Sequence, residues 1–217
     1  MFKNIIFDFD GTLADSWEVG IAAYRQLAGK YGYANLSCTE LDKLKDMPIM
    51  ERLKKIGLPY YRIPVVLRDI KKTYEEHQDS LHPFPGMRQT LLSLANRGFN
   101  LHVLSTNSRK IIATFLKAHN MDVFAGINSS PGIFGKHRSL VRILQKQAFR
   151  KEETLYVGDE LRDIEACKIA GIKVLAVTWG YDSAALLEKG KPDYTADTPE
   201  EILEIVNCPP QGQHGIN

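Results

Sequence analysis

Cysteine is scarce in this sequence: Cys38, Cys167 and Cys208 are the only three, and they lie far apart with no Cys-x-x-Cys pair. That pattern excludes a disulfide framework and a thiolate zinc site, and leaves buried or incidental thiols. Long hydrophobic runs are missing too; none approaches the roughly 20 apolar residues that span a bilayer. At the N-terminus Lys3-Asn4 is followed only by Ile5-Ile6-Phe7 before acidic residues begin. No signal peptide is expected, and the chain reads as a soluble, cytoplasmic protein without a membrane partner. Neither sign of charge dominates, since 28 Lys and Arg face 26 Asp and Glu for a net charge of +2. Without a basic stripe a nucleic-acid partner is not expected, although a local pocket for an anionic metabolite is compatible with this balance. Internal repeats are absent. What is present is ordinary globular composition, 44% hydrophobic and 25% charged,. The length of 217 residues suits one continuous core carrying at most one inserted module.

Short β-branched runs alternate with helical patterns. Residues 4–9, 100–105, 154–157 and 173–177 read as strands buried on both faces, which implies a parallel sheet flanked by helices. The spacing predicts helices over 86–97, 108–119 and 161–170, stopped by Gly98, Asn120 and Gly171, residues that take a left-handed turn readily,. Thr198-Pro199-Glu200-Glu201 combines an N-cap, a first-turn proline and a capping-box acid,. From Asp15 to about Leu81 the alternation breaks: helical periodicity continues through Val66, Ile70, Tyr74, His77 and Leu81, and no strand is evident,. Asp15 with Glu18 is expected to form a capping box at the first helix. This interval reads as an inserted helical module, bounded by the turn after Gly11 and by His82-Pro83-Phe84-Pro85-Gly86,. Residues from Pro209 onward read as a disordered tail.

Chemistry concentrates where apolar runs end. Ile5-Ile6-Phe7-Asp8-Phe9-Asp10-Gly11-Thr12-Leu13 closes a strand with two acids two positions apart. In extended backbone such positions face the same side, so both carboxylates can converge at the strand's C-terminal edge, where open α/β sheets bind ligands. The plainer alternative is a capped strand end with a turn at Asp10-Gly11. Tyr156-Val157-Gly158-Asp159-Glu160-Leu161-Arg162-Asp163 repeats the pattern. If the two strands are neighbours, Asp159 joins Asp8 and Asp10 in a pocket whose mutual repulsion calls for a hard cation, Mg²⁺ more than Ca²⁺; helix capping by Asp159 or Asp163 is the competing role. Ser105-Thr106-Asn107 ends a third strand before a helix, a natural cradle for phosphate,. Lys136 follows Gly135 at the start of another helical pattern; alone it would read as a solvated lysine.

The order Asp-x-Asp-Gly-Thr, Ser-Thr-Asn, Gly-Lys and Gly-Asp-x-x-x-Asp resembles the haloacid dehalogenase superfamily, especially its phosphoglycolate phosphatase-like hydrolases. The likeness covers nearly the whole chain, including the insert after the first motif and Pro85-Gly86 at the return to the core. It implies an α/β fold, a Rossmann-like doubly wound parallel sheet, with an inserted all-helical cap of the C1 type: core at 1–14 and 83–207, cap at 15–82, tail at 208–217. It also implies a Mg²⁺-dependent phosphatase acting on a small phosphorylated metabolite, a phosphate monoester resembling phosphoglycolate or a sugar phosphate. In that scheme Asp8 is the nucleophile that forms an aspartyl-phosphate, and Asp10 is the acid and base. Mg²⁺ is held by Asp8, the Asp10 carbonyl and Asp159. Thr106, the Asn107 amide and Lys136 hold the phosphoryl oxygens, Lys136 keeps Asp8 ionised, and Asp163 orients Lys136 or a metal-bound water.

By the same resemblance, Asp10 favours phosphate-ester hydrolysis, because dehalogenating and ATPase-type members lack this second acid. Three features are particular to this chain. His137 stands where proline often follows the motif lysine, and reads as a helix-surface histidine with contact to substrate as the other option. Glu160 replaces a common Ser or Thr and reads as a first-turn acid, with added negative charge near the metal as the other option. Lys43 and Lys45, in an expected loop before Asp46-Met47-Pro48, read as solvated charges with the option of reaching a substrate carboxylate,. A phosphosugar mutase of the β-phosphoglucomutase kind would share every core residue, and a non-catalytic binding protein on the same fold is the other alternative.

Overall fold

A computed structural model describes residues 1–207. The tail expected at 208–217, and Cys208 with it, lies outside the described residues. In chain order the elements begin with β1 (Asn4–Phe7), β2 (Ala14–Asp15), α1 (Trp17–Tyr31), α2 (Cys38–Leu44), α3 (Ile49–Lys55), α4 (Ile63–Glu76) and β3 (His82–Pro83). They continue with α5 (Met87–Asn96), β4 (Asn100–Ser105), α6 (Arg109–Ala118), β5 (Gly126–Ser129), α7 (Lys136–Gln147) and β6 (Thr154–Gly158). The last are α8 (Leu161–Ala170), β7 (Lys173–Val177), α9 (Ala184–Lys189), β8 (Tyr194–Ala196) and α10 (Pro199–Asn207).

Six strands form one parallel sheet in the order β5-β4-β1-β6-β7-β8. Side chains alternate between two apolar layers, which is why the central strands β1, β4 and β6 are almost wholly apolar inside, with the buried His102 of β4 the exception. Ile5, Phe7, Leu101, Val103, Leu155 and Val157 pack with α5, α6 and α10, whereas Ile6, Leu104, Tyr156 and Val174 pack with α7 and α8,. The chain winds outward from β1 through β4 and β5, then returns to β6 on the other side of β1. The C-terminal ends of β4, β1 and β6 therefore meet at the reversal of winding, the crevice where doubly wound sheets place their ligands.

Gly98, Asn120 and Gly171 all take positive φ just beyond their helices, as the spacing predicts,. Other expectations need correction. β1 stops at Phe7 rather than continuing to residue 9, because the Phe9 carbonyl accepts from Leu13 and Ala14 and turns the chain. The interval read as free of strands is helical, and its two ends are tied together by a pair that spacing did not show: β2 and β3 flank it and pair antiparallel through Ala14–Pro83 and Asp15–His82. No capping box forms at α1, because the Ser16 hydroxyl at the N-cap bonds the Tyr181 hydroxyl instead, at 2.7 Å. α4 ends at Glu76, so His77 and Leu81 fall outside it. Leu27, Leu53, Leu58, Ile63 and Val66 give α1, α3 and α4 a small apolar core of their own. Among the described residues no helix is long and apolar enough to cross a membrane.

Candidate active site

Asp8 follows β1 without leaving the sheet, since its N–H donates to the Val157 carbonyl of β6 at 2.8 Å. Its carboxylate is buried and fixed on both oxygens, by the Phe9 N–H at 2.7 Å and by Lys136 Nζ at 2.6 Å. Burial pushes this carboxyl up and the Lys136 charge pulls it back,. Asp10 opens partly onto a cavity, with the Asn107 side-chain amide 3.3 Å from its Oδ2. Burial raises it to about 6 against hydrogen bonds from Ser16 and Asn107. Gly11, at φ +75°, allows the turn between these acids and the linker, and any Cβ there would run into the Asp159 carboxylate,.

Lys136 is the first residue of α7 and is buried between Asp8 and Asp163, each within ion-pair distance. Burial works to lower its pKa, but the charges of Asp163 and Asp8 outweigh it and hold the ammonium protonated. Asp163 also accepts the Glu160 N–H at 3.3 Å, so it caps α8 and orients Lys136 at once. Asp159 is differently placed: its oxygens accept from the Thr12 hydroxyl at 2.6 Å and the Tyr181 N–H at 2.8 Å. No ion pair reaches it among the described residues. Burial first, then the neighbouring charges of Glu160, Asp8 and Asp163, push it well above the usual carboxylate range.

The residues expected at the site thus gather at the ends of β1, β4, β6 and at the start of α7, with different partners in places. The Asn107 backbone N–H is occupied by Ser105 Oγ at 3.0 Å, and its side chain holds Asp10. Thr106 is half-buried and lines the cavity. Glu160 is not a first-turn acid. It is the N-cap of α8, buried, and paired with Arg162, whose Nε lies 2.7 Å away. It joins Asp8 and Asp163 in the one cluster of carboxylates, among the described residues, whose oxygens lie within 4.8 Å of one another. Asp159, expected among the metal ligands, stands outside that cluster. His137 is half-buried in the first turn of α7 and does not line the cavity. Lys43 belongs to α2 and is exposed; Lys45 is the C-cap of that helix, with its ammonium 4.0 Å from the Trp17 ring centroid.

Sequence spacing missed the contacts between the helical insert and the sheet. Arg52 of α3 pairs with Asp182, which also accepts the Leu161 N–H at 2.6 Å at the start of α8. The Ser183 N–H donates to the Lys45 carbonyl at 3.0 Å. Tyr181 bridges Ser16 at 2.7 Å and Tyr74 of α4 at 3.2 Å. The partners that join the insert to the loop after β7 are separated by more than a hundred residues and leave no periodic signal. Replacing Arg52 by Met leaves Asp182 buried with only the Leu161 N–H. It is expected to cost about 1–3 kcal/mol in urea unfolding and to raise KM more than it lowers kcat; unchanged stability and KM would show that this pair does not hold the insert.

The family model described as haloacid dehalogenase-like hydrolase matches residues 5–177. A phosphoglycolate phosphatase of Synechococcus elongatus is 30% identical over 94% of this chain and 97% of its own. The pyrophosphatase PpaX of Bacillus mycoides is 25% identical over 94% of this chain and 97% of its own. Among solved structures, a haloacid dehalogenase-like family hydrolase from Streptococcus pneumoniae superposes with a TM-score of 0.80 at 24% identity, covering 94% of this chain and 98% of that one. Fold and relatives together define a hydrolase of the phosphatase class. The chain belongs to the haloacid dehalogenase-like hydrolase family.

Proposed function

We propose that this phosphatase hydrolyses a small phosphate monoester through a phosphoryl group carried on Asp8, with Mg²⁺ as cofactor. The observation that carries the reading is the pairing of a carboxylate clamped by Lys136 with a second acid, Asp10, raised to about 6, at one end of the same cavity. An Asp8 oxygen attacks phosphorus and the bond to the leaving oxygen breaks. Asp10, protonated, gives its proton to that oxygen. Water then attacks the phosphoryl group, Asp10 takes the proton back, and inorganic phosphate and free Asp8 result. Lys136 and Thr106 are the groups assigned to the phosphoryl oxygens, and Asp163 keeps Lys136 in place. Residues 15–82 act as a cap over a core of 1–14 and 83–207, hinged where β2 pairs with β3.

The donor set fits a hard divalent cation. Five carboxylates, those of Asp8, Asp10, Asp159, Glu160 and Asp163, face two cations, Lys136 and Arg162. Lys136 is committed to Asp163 and Asp8, and Arg162 to Glu160, so Asp10 and Asp159 are left without an ion pair; Asp10 has the Asn107 amide and a pKa raised to about 6, and Asp159 is the fully buried one without a counter-charge. We assign the cation to Asp8, the Asp10 carbonyl and Asp159; when bound it would neutralise phosphate charge ahead of attack. The first test is phosphate release from a panel of esters with Mg²⁺ added or chelated. Metal-dependent release supports the reading, and release indifferent to chelation contradicts it. Asp159→Asn is expected to weaken Mg²⁺ dependence at least tenfold, and Glu160→Gln less; the reverse order would move the cation to the Asp8, Glu160 and Asp163 cluster. No observation favours the mutase or the binding-protein alternative.

The same charge excess has a pH signature. Asp10, Asp163 and Asp182 are raised from 3.8 to about 6 in the fold. A raised carboxyl contributes stability that is fully present below 3.8 and lost as pH rises through 6,. Metal-free protein is therefore expected to melt higher near pH 5 than near pH 7.5, and Mg²⁺ to raise the melting temperature chiefly at the higher pH. An equal Mg²⁺ effect at both would contradict the assignment.

A further inference from the structure

The cavity that opens from Asp8, Asp10, Thr106 and Asn107 has a volume of about 320 Å³ and runs between the sheet ends and the cap helices. Away from its phosphate end the walls are apolar: Ile21, Leu41, Leu44, Ile49, Ile56 and Ile70, from the cap helices and the turn after α3, face into it. Most of the polar groups along these walls are already engaged; the Lys45 and Lys71 ammoniums, near the rim, are the exceptions, with no hydrogen-bond partner among the described residues. The Tyr24 hydroxyl donates to the Ala34 carbonyl, and those of Tyr74 and Tyr181 bond each other at 3.2 Å. Arg52 is taken by Asp182 and by the Met47 carbonyl at 2.7 Å, and Arg162 by Glu160. The Lys45 ammonium lies 4.0 Å from the Trp17 ring centroid. Lys71 stands where the cavity meets the outer groove beside α4, since it lines both.

Two ammoniums cannot serve all the hydroxyls of a sugar, so several would be buried against isoleucine and leucine without a partner, and each such loss is costly,. A two-carbon glycolate would leave most of the cavity unfilled, since volumes of roughly 300–1,000 Å³ suit larger ligands. We propose that the leaving group of the substrate is an apolar alcohol, aromatic or branched aliphatic, rather than glycolate or a sugar. This rests on the phosphatase reading and names its substrate class. The phosphoryl group would sit against Asp8 and Lys136 while the hydrocarbon body replaces water along the cap walls. Each methylene so buried is worth roughly fourfold in binding, so the preference is expected to be large.

The test compares primary alkyl phosphates, so that no aryl leaving group supplies the rate by its acidity. The full chain with Mg²⁺ is given 3-phenylpropyl phosphate and 3-methylbutyl phosphate on one side, phosphoglycolate and glycerol 3-phosphate on the other. The expected result is a kcat/KM at least about 30-fold higher for 3-phenylpropyl phosphate than for glycerol 3-phosphate, with the 3-methylbutyl ester between them. Leu44→Gln should narrow that ratio. Turnover with no apolar preference, or with phosphoglycolate or the glycerol ester preferred, overturns the inference and leaves the phosphatase reading standing. Absence of turnover on every ester by folded protein overturns both. The comparison on the unmodified protein decides the matter even if the variant fails to fold.

Discussion

Asp8→Asn is expected to lower phosphate release by about 10⁴-fold or more while leaving the fold intact. The amide keeps the shape of the carboxylate, so its oxygen can still accept one of the two bonds that the Phe9 N–H and Lys136 Nζ give to Asp8. What the variant loses is the anionic oxygen that attacks phosphorus, and no other carboxylate is placed to take over. Asp10 is engaged by Asn107, Glu160 by Arg162, Asp163 by Lys136, and Asp159 by the Thr12 hydroxyl and the Tyr181 N–H. Stability should not fall far, because the substitution removes a buried acid that burial disfavours in its charged form,. Phosphate release and thermal melting on the same preparation check both halves. A variant retaining activity within tenfold of the original would refute the nucleophile assignment.

Lys136→Met removes the other half of the clamp and should fail differently. Asp8 and Asp163 would then lie buried without the cation that bridges them, and breaking such a buried arrangement costs roughly 3–5 kcal/mol. Urea unfolding should register that loss together with near-complete loss of turnover. Adding Asp163→Asn to Lys136→Met removes one stranded charge, so part of the stability should return while turnover stays absent. If both variants unfold like the original protein, Lys136 is not the counter-charge that the geometry makes it.

Where the sequence is legible, the reason is physical. Parallel strands buried on both faces are apolar almost throughout, so the acids that end β1 and β6 stand out against their runs. The short edge strands β5 and β8 give no such signal. They lie at the margins of the sheet and carry polar residues such as Asn128, Ser129 and Thr195, which blur the pattern. Glu160 is misread from spacing alone because spacing places an acid near a helix start without saying which way its side chain turns; here it turns inward, onto Arg162 and towards Asp8. The Arg52–Asp182 pair and the Ser16–Tyr181–Tyr74 chain depend on how the helical insert lands on the sheet. Periodicity contains no information on that landing. The same limit hides the apolar walls of the cavity, whose isoleucines and leucines read in sequence only as the inner faces of amphipathic helices.

The central claim is that the phosphoryl group passes through Asp8, and rapid acid quenching followed by mass spectrometry tests it most directly. During turnover of any accepted ester, a peptide containing Asp8 should carry one phosphoryl group that hydroxylamine removes. Asp10→Asn should accumulate the adduct, because the water that clears it has lost its base. Steady turnover with no adduct on Asp8 in either protein, and with an Asp8→Asn variant still active, would contradict the account.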